Sequence, residues 1–202
     1  MTTTIIDLIR HGEPVGGRKY RGQVDDPLSP EGFRQMWAAV GEAPPWASIV
    51  SSPLSRCAVF AAALADRHGI ALRLDARLQE AGFGAWEGRT PGEIEAEDAS
   101  ALAAFKRDPV NHRPEGAEPA EAFAQRVGLA LDEAAAEFSG RHALLVCHAG
   151  VIRMALVRAL AIPLSSAYRI EVPLASVTRL AVRQQAAGAV MNLVFHGMPQ
   201  LA

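Results

Sequence analysis

The sequence predicts an α/β domain, with a mainly parallel sheet carrying helices on both faces in three layers and an irregular, partly helical insertion over the functional site. Three observations lead there. Short β-branched runs alternate with amphipathic helical stretches through most of the chain, as in strand-helix-strand crossovers. Regular periodicity fails from Glu80 to Glu118, where glycine and proline are frequent. The 202 residues are half apolar, enough for one substantial core, so residues 1-202 are read as a single domain with an insertion at about 80-118.

Thr4 to Ile9 is a β-branched run broken only by Asp7, and it reads as a buried strand ending at Arg10. Ser29-Pro30 introduces a helix from Glu31 to Val40, with Phe33, Met36, Trp37 and Val40 at helical spacing. Ala47 to Ser51 is a second strand. Leu54, Cys57, Ala58, Ala61, Leu64 and Ala65 mark an amphipathic helix closed by His68-Gly69, and Ile70 to Leu74 a third strand. Inside the insertion only Ile94 to Phe105 has helical character. Phe123, Val127, Ala130, Leu131, Ala134 and Phe138 share one face of a later helix, with Pro119 near its first turn. Arg141 to Cys147 is a strand, Gly150 to Leu160 a helix apolar nearly all round, and Ala175 to Val182 with Ala189 to Phe195 a terminal hairpin around Gln184 to Gly188.

Charge narrows the function classes. Twenty basic residues against 22 acidic ones leave a net charge of -2, which gives no whole-molecule field for nucleic acid or anionic lipid. Neither is expected as a partner, and any anion affinity must be local. The longest apolar stretch, Val151 to Ile162, is interrupted by Arg153 and Arg158 and is far short of a bilayer span. Cys57 and Cys147 form no CxxC, and Met1 to Thr4 lead straight into a strand without a secretory pattern, so the cytoplasm is the expected compartment. A homo-oligomer stays open.

Ligands of parallel α/β sheets bind at the carboxyl ends of the strands, and His11 and His148 both follow strands there. Arg10-His11-Gly12-Glu13 brings a guanidinium, an imidazole and a glycine to one strand end, where they can converge on a small anion. Ser51-Ser52-Pro53-Leu54-Ser55-Arg56 repeats the arrangement, with Arg56 in the first turn of the next helix. Cys147-His148-Ala149-Gly150 repeats it again, where the following helix can offer free amides and the positive end of its dipole. Two arginines, two histidines and a helix N-terminus match the needs of a phosphoryl group in transfer. Packed guanidinium groups oppose protonation of His11 and keep it a competent nucleophile. Glu80, opening the irregular segment, is placed to protonate a departing alkoxide, with burial and the substrate's negative charge favouring its protonated form.

Leu8-Ile9-Arg10-His11-Gly12-Glu13 resembles the signature of the histidine phosphatase superfamily, also called phosphoglycerate mutase-like. Ser52 to Arg56, Leu78-Gln79-Glu80 with Phe83 to Gly88, and Cys147 to Gly150 resemble its remaining motifs in the family's order, over residues 5 to about 160. The resemblance implies His11 as the phosphorylated nucleophile and Glu80 as proton donor. It implies Arg10, Arg56 and His148 as the phosphate pocket, with Ala149 also touching substrate, and neither metal nor cofactor. Gly16 to Leu28, Arg56-Cys57-Ala58 and Phe83 to Gly88 are most similar to bacterial α-ribazole phosphatases, which dephosphorylate α-ribazole 5'-phosphate in cobalamin assembly.

The expectation is a metal-independent phosphomonoesterase working through a phosphohistidine on a small phosphate ester, α-ribazole 5'-phosphate first. A broad-specificity small-molecule phosphatase, a mutase and a non-catalytic phospho-ligand binding module are the competing readings. Glu80 is followed by Ala81-Gly82-Phe83 rather than the basic, aromatic run of the mutases, and intact His11 and Glu80 argue against the binding module. Gly116-Ala117-Glu118-Pro119 stands where relatives often carry a serine, so no serine contact transfers. Glu13 and Glu87 either position the arginines or form structural ion pairs. Trp86 either lines the pocket or anchors the insertion, and roles for Arg18 and Arg21 at the mouth stay open. His68 reads as a helix C-terminal residue, while His112, His142 and His196 read as structural or solvated.

Overall fold

The computed structural model describes residues 2–185 and 188–201. Six strands form one sheet in the order β3-β2-β4-β1-β5-β6. They are β1 (Thr3–Arg10), β2 (Ser48–Ser51), β3 (Ala71–Leu74), β4 (His142–Cys147), β5 (Val177–Gln185) and β6 (Gly188–Met198). β3, β2, β4 and β1 run parallel, and β5 and β6 close one side antiparallel. Five helices pack on the sheet: α1 (Pro30–Val40), α2 (Ser55–His68), α3 (Pro91–Arg107), α4 (Ala120–Glu137) and α5 (Ala149–Leu160). None is long and apolar enough to cross a membrane. The turn between β5 and β6, around which the hairpin was expected, lies partly outside the described residues.

Two apolar layers follow from the alternation of side chains along the strands. Ile9, Ile49, Leu144, Val146 and Val177 face α1 and α2, burying Met36, Phe60 and Leu64. Ile6, Leu8, Val50, Leu145 and Leu180 face α4 and α5, burying Phe123, Leu131, Val151 and Ile152. Asp7, the one interruption of the β1 run, is fully buried. It accepts hydrogen bonds from Trp46 Nε1 (2.8 Å) and from Arg179 (2.7 and 2.9 Å), and lies 2.9 Å from His142 Nε2. Burial opposes ionisation of Asp7, and the bonds from Arg179, His142 and Trp46 outweigh it, holding the carboxyl below its ordinary range. His142, read from sequence as structural or solvated, is thus structural.

The insertion contains more helix than its periodicity suggests. Thr90 and Glu93 form a reciprocal capping box that starts α3 at Pro91, before the first apolar position of the expected segment. Asp98 interrupts α3 with φ -148°, and its carboxylate accepts the amide of Ala101 at 2.9 Å, starting a second helical piece. Phe83, Trp86 and Phe105 pack around Tyr20 at centroid separations of 5.3 to 5.8 Å. Trp86 is therefore the buried anchor of the insertion rather than part of the cavity wall.

Candidate active site

Sheet register places the site. Arg10 pairs with Cys147 and Ser51 with Val146, so the next residues, His11, His148 and Ser52, emerge side by side from three adjacent strands. The amides of His11 and Ser52 continue the ladders by donating to Cys147 O (3.0 Å) and Val146 O (2.9 Å). Gly12 turns the chain here because nothing larger fits: a Cβ on it would lie 2.2 Å from the carbonyl oxygen of Gly32 in the first turn of α1. Close approach of two backbones, rather than flexibility, accounts for that glycine.

His11 is almost enclosed, and its Nδ1 lies 2.8 Å from the Gly12 carbonyl oxygen. A carbonyl only accepts, so Nδ1 carries the hydrogen and Nε2 keeps its lone pair. Burial, then Arg10 and Arg56, press the His11 pKa down to about 3, and the ring is neutral. His148 is fully buried with its ring edge-on to His11, centroids 5.2 Å apart, and burial with Arg56 and His11 lowers its pKa well below the ordinary value. Its Nε2 meets Ser52 Oγ at 2.8 Å and Cys57 Sγ at 3.6 Å. His148 thus backs His11 and does not line the open cavity.

The arginines are fixed by backbone carbonyls. Arg10 Nη1 donates to Val172 O at 2.5 Å, and burial lowers the Arg10 pKa to about 10. Arg56 donates from Nη1 to Val24 O (2.7 Å) and from Nη2 to Gly22 O (2.8 Å), leaving a second hydrogen on each nitrogen. The Nε atoms of both arginines are buried without a protein partner. Glu80 accepts the amides of Ala81 (2.9 Å) and Gly150 (3.1 Å). One of the amides that the start of α5 was expected to offer the anion, that of Gly150, is therefore occupied by Glu80.

A cavity of about 480 Å³ opens over these groups, lined by Arg10, His11, Arg56, Glu80 and Ala149 together with residues of the insertion. Four of the five expected residues, and Ala149 with them, converge on it, and His148 stands behind. Among the described residues no group of three or more His, Cys, Asp and Glu side chains is arranged to hold a metal ion.

The model of the histidine phosphatase superfamily, branch 1, matches residues 6–192. The chain belongs to that superfamily. A glucosyl-3-phosphoglycerate phosphatase of Mycobacterium tuberculosis is 34% identical over 173 residues, 79% of this chain and 76% of the relative. A bifunctional protein of the same organism is 33% identical over 191 residues, and the chain spans about half the length of that relative, 50%. The adenosylcobalamin/alpha-ribazole phosphatase of Salmonella typhimurium is 29% identical over 171 residues, 82% of this chain and 84% of that one. Among solved structures, mycobacterial hydrolase 2 superposes with a TM-score of 0.88 at 27% identity, covering 100% of this chain and 94% of that one.

Around its shared motifs, this member of the superfamily has supports that the motifs do not announce. Arg126 donates to the carbonyls of Arg77 (2.7 Å), Gln79 (2.8 Å) and Glu80 (3.1 Å) and pairs with Glu118 at 2.7 Å, clamping the segment that carries Glu80. Nothing local marks Arg126 except its place on α4 one turn from Phe123, over whose ring its guanidinium lies. Glu87 accepts the amides of Gln23 (3.1 Å) and Phe83 (3.0 Å) and so joins the insertion to the loop held by Arg56, and among the described residues it neither bonds an arginine nor forms an ion pair. Arg21 bonds Asp26 at 2.9 Å and the carbonyls of Val15 and Gly17, bracing the mouth loop. Arg18, Lys19, Lys106, Arg153 and Tyr168 also line the cavity, and of these the sequence had pointed only to Arg18.

Proposed function

We propose that the protein is a phosphomonoesterase that hydrolyses small phosphate esters without metal, through a phosphohistidine at His11. The observation that carries this reading is a neutral imidazole with its lone pair on Nε2, at a cavity where Arg10, Arg56 and Glu80 meet. Nε2 attacks phosphorus, the N–P bond forms as the ester P–O bond breaks, and the leaving oxygen takes a proton from the Glu80 carboxyl. Water then attacks the phosphohistidine, Glu80 takes the water's proton, and phosphate leaves with His11 restored. Arg10 and Arg56 hold the equatorial oxygens in both steps, and His148 completes the pocket behind the nucleophile.

For substrate, α-ribazole 5'-phosphate is supported by the sequence resemblance and by the aromatic wall of Tyr20, Phe83, Phe105 and Tyr168. A phosphorylated carboxylic acid, as in the 34% identical phosphatase, is the second reading. The cavity favours it, because basic residues line it in large excess. The two buried free cysteines support the cytoplasm as its compartment.

Phosphate release from purified protein against α-ribazole 5'-phosphate, nucleotide monophosphates, phosphosugars and glucosyl-3-phosphoglycerate tests the activity, with an added acceptor alcohol to reveal mutase behaviour. Release from at least one ester, with water as acceptor, is expected. Failure on all, or transfer to the acceptor alone, would refute it.

A further inference from the structure

Seven lysines and arginines, Arg10, Arg18, Lys19, Arg21, Arg56, Lys106 and Arg153, line the cavity against Glu80 as the one carboxylate. Only Arg21 has a carboxylate partner, Asp26, while the other six make no ion pair among the described residues. This occurs in a chain whose 22 acidic residues outnumber its 20 basic ones. Arg10 and Arg56 suffice for one phosphoryl group, so the remaining cations await further negative charge.

Of the four that are neither in the phosphate pocket nor paired with a carboxylate, Arg18, Lys19, Lys106 and Arg153, only Arg153 is held by a hydrogen bond among the described residues. It lies in the second turn of α5, half-buried, and its Nε donates to Ile170 O at 3.0 Å while its guanidinium lies over the Tyr168 ring, 5.2 Å from the centroid. Tyr168 is itself fixed, packed edge-on to Phe105 with its hydroxyl accepting from Arg113 at 3.4 Å. Arg18 and Lys106 are exposed and would lose side-chain freedom on binding, whereas Arg153 has already lost it. Arg153 is also near enough to Arg10 to disfavour its protonated form, so it adjoins the phosphate pocket.

Resting on the phosphatase reading, and choosing its second substrate class over α-ribazole 5'-phosphate, we infer that Arg153, backed by Tyr168, is a specificity residue that binds a carboxylate on the substrate's carbon chain, so that the protein prefers phosphorylated carboxylic acids to phosphorylated neutral alcohols. A planar guanidinium presents two parallel N–H donors to a carboxylate, and with Nε committed to Ile170 O the terminal nitrogens carry those donors. The cavity is large enough for a ligand with both groups and a further substituent.

The test compares 3-phosphoglycerate with glycerol 3-phosphate, which share a carbon skeleton and phosphate position and differ in one carboxylate. The wild-type protein should favour 3-phosphoglycerate in kcat/KM by roughly tenfold or more, the scale of one hydrogen-bonded charge. Arg153→Gln should reduce that ratio at least about tenfold, mainly through KM, and Arg153→Lys should restore part of it. No preference in the wild-type protein would overturn the inference whether or not the variants fold, and so would an unchanged ratio in folded Arg153→Gln. Either result leaves the phosphatase reading standing. Hydrolysis of neither ester, nor of p-nitrophenyl phosphate, would instead remove the phosphatase reading and this inference with it.

Discussion

The Glu80 carboxylate accepts the backbone amide of Gly150 at 3.1 Å, which ties the proposed proton donor to the first turn of the helix that starts behind His148. The contact exists because residue 150 has no side chain: a Cβ there would lie 2.1 Å from Glu80 Oε1 and 3.0 Å from Phe123 Cε1.

Gly150→Ala should therefore move Glu80 rather than unfold the protein. The colliding atom is the end of a flexible side chain, and alanine suits a helix better than glycine by about 1 kcal/mol. Turnover of alkyl phosphates should fall more than tenfold on the scale of a displaced general acid, with stability within about 1 kcal/mol of the parent. Steady-state kinetics and urea unfolding of the variant check both halves, and wild-type turnover would show that the Glu80 position is unimportant.

Arg56→Lys should lose at least about 100-fold in turnover, as for a lost transition-state donor. The arginine both faces the cavity and bonds Gly22 O and Val24 O, and an ammonium cannot do all three in one plane. Near-normal kcat and KM in a folded lysine variant would take Arg56 out of the site.

Hydrolysis should persist in excess chelator, because Arg10 and Arg56 provide the positive charge that a metal would otherwise supply. Loss of activity in EDTA, regained with Mg²⁺, would contradict this.

Acid should weaken the fold through His11 and His148. Both are buried and held neutral, with pKa values below the ordinary 6.5. As pH falls below 6.5, the unfolded chain gains protons that the folded one refuses, so stability is lost progressively toward the folded values. Two such groups cost about 2–3 kcal/mol between roughly pH 7.5 and 5.5. Urea unfolding at the two values measures this, and His11→Asn should remove about half of the change. A flat profile in the wild-type protein would mean that neither ring is held neutral.

Much of this architecture was legible because β1, β2 and β4 are compact apolar runs, and His11 and His148 each follow one directly. His11, Ser52 and His148 are neighbours through sheet register, and the order of strands and helices implied it. What stayed hidden depends on contacts between distant segments. His142 lacked a visible partner because Asp7 lies 135 residues away on the adjacent strand, and Arg126 reads as an ordinary polar helix position until the Glu80 segment is laid beside it. That one of the amides at the start of α5, Gly150 N, is already taken was hidden for a similar reason, since no local pattern shows that Glu80 reaches it. Arg153 was visible only as an interruption in an apolar helix, and its meaning depends on Tyr168 and on its making no ion pair among the described residues.

The last prediction separates nucleophile from acid. His11 presents Nε2 because the Gly12 carbonyl holds the hydrogen on Nδ1, whereas Glu80 lines the cavity beside residues of the insertion. Their losses should differ in kind. His11→Ala should abolish both turnover and covalent labelling, since His148, the other imidazole, is fully enclosed and directed at Ser52. Glu80→Gln should slow alkyl esters far more than p-nitrophenyl phosphate, by roughly 100-fold or more for the poor leaving groups, because a phenolate departs with little need of a proton. Acid quenching after mixing the glutamine variant with labelled substrate should still place acid-sensitive label on the peptide carrying His11. Labelling that survives in His11→Ala would assign the nucleophile elsewhere, and equal slowing of both ester types in Glu80→Gln would remove Glu80 as the acid. Glu13 and Glu87 would then be the carboxylates to examine.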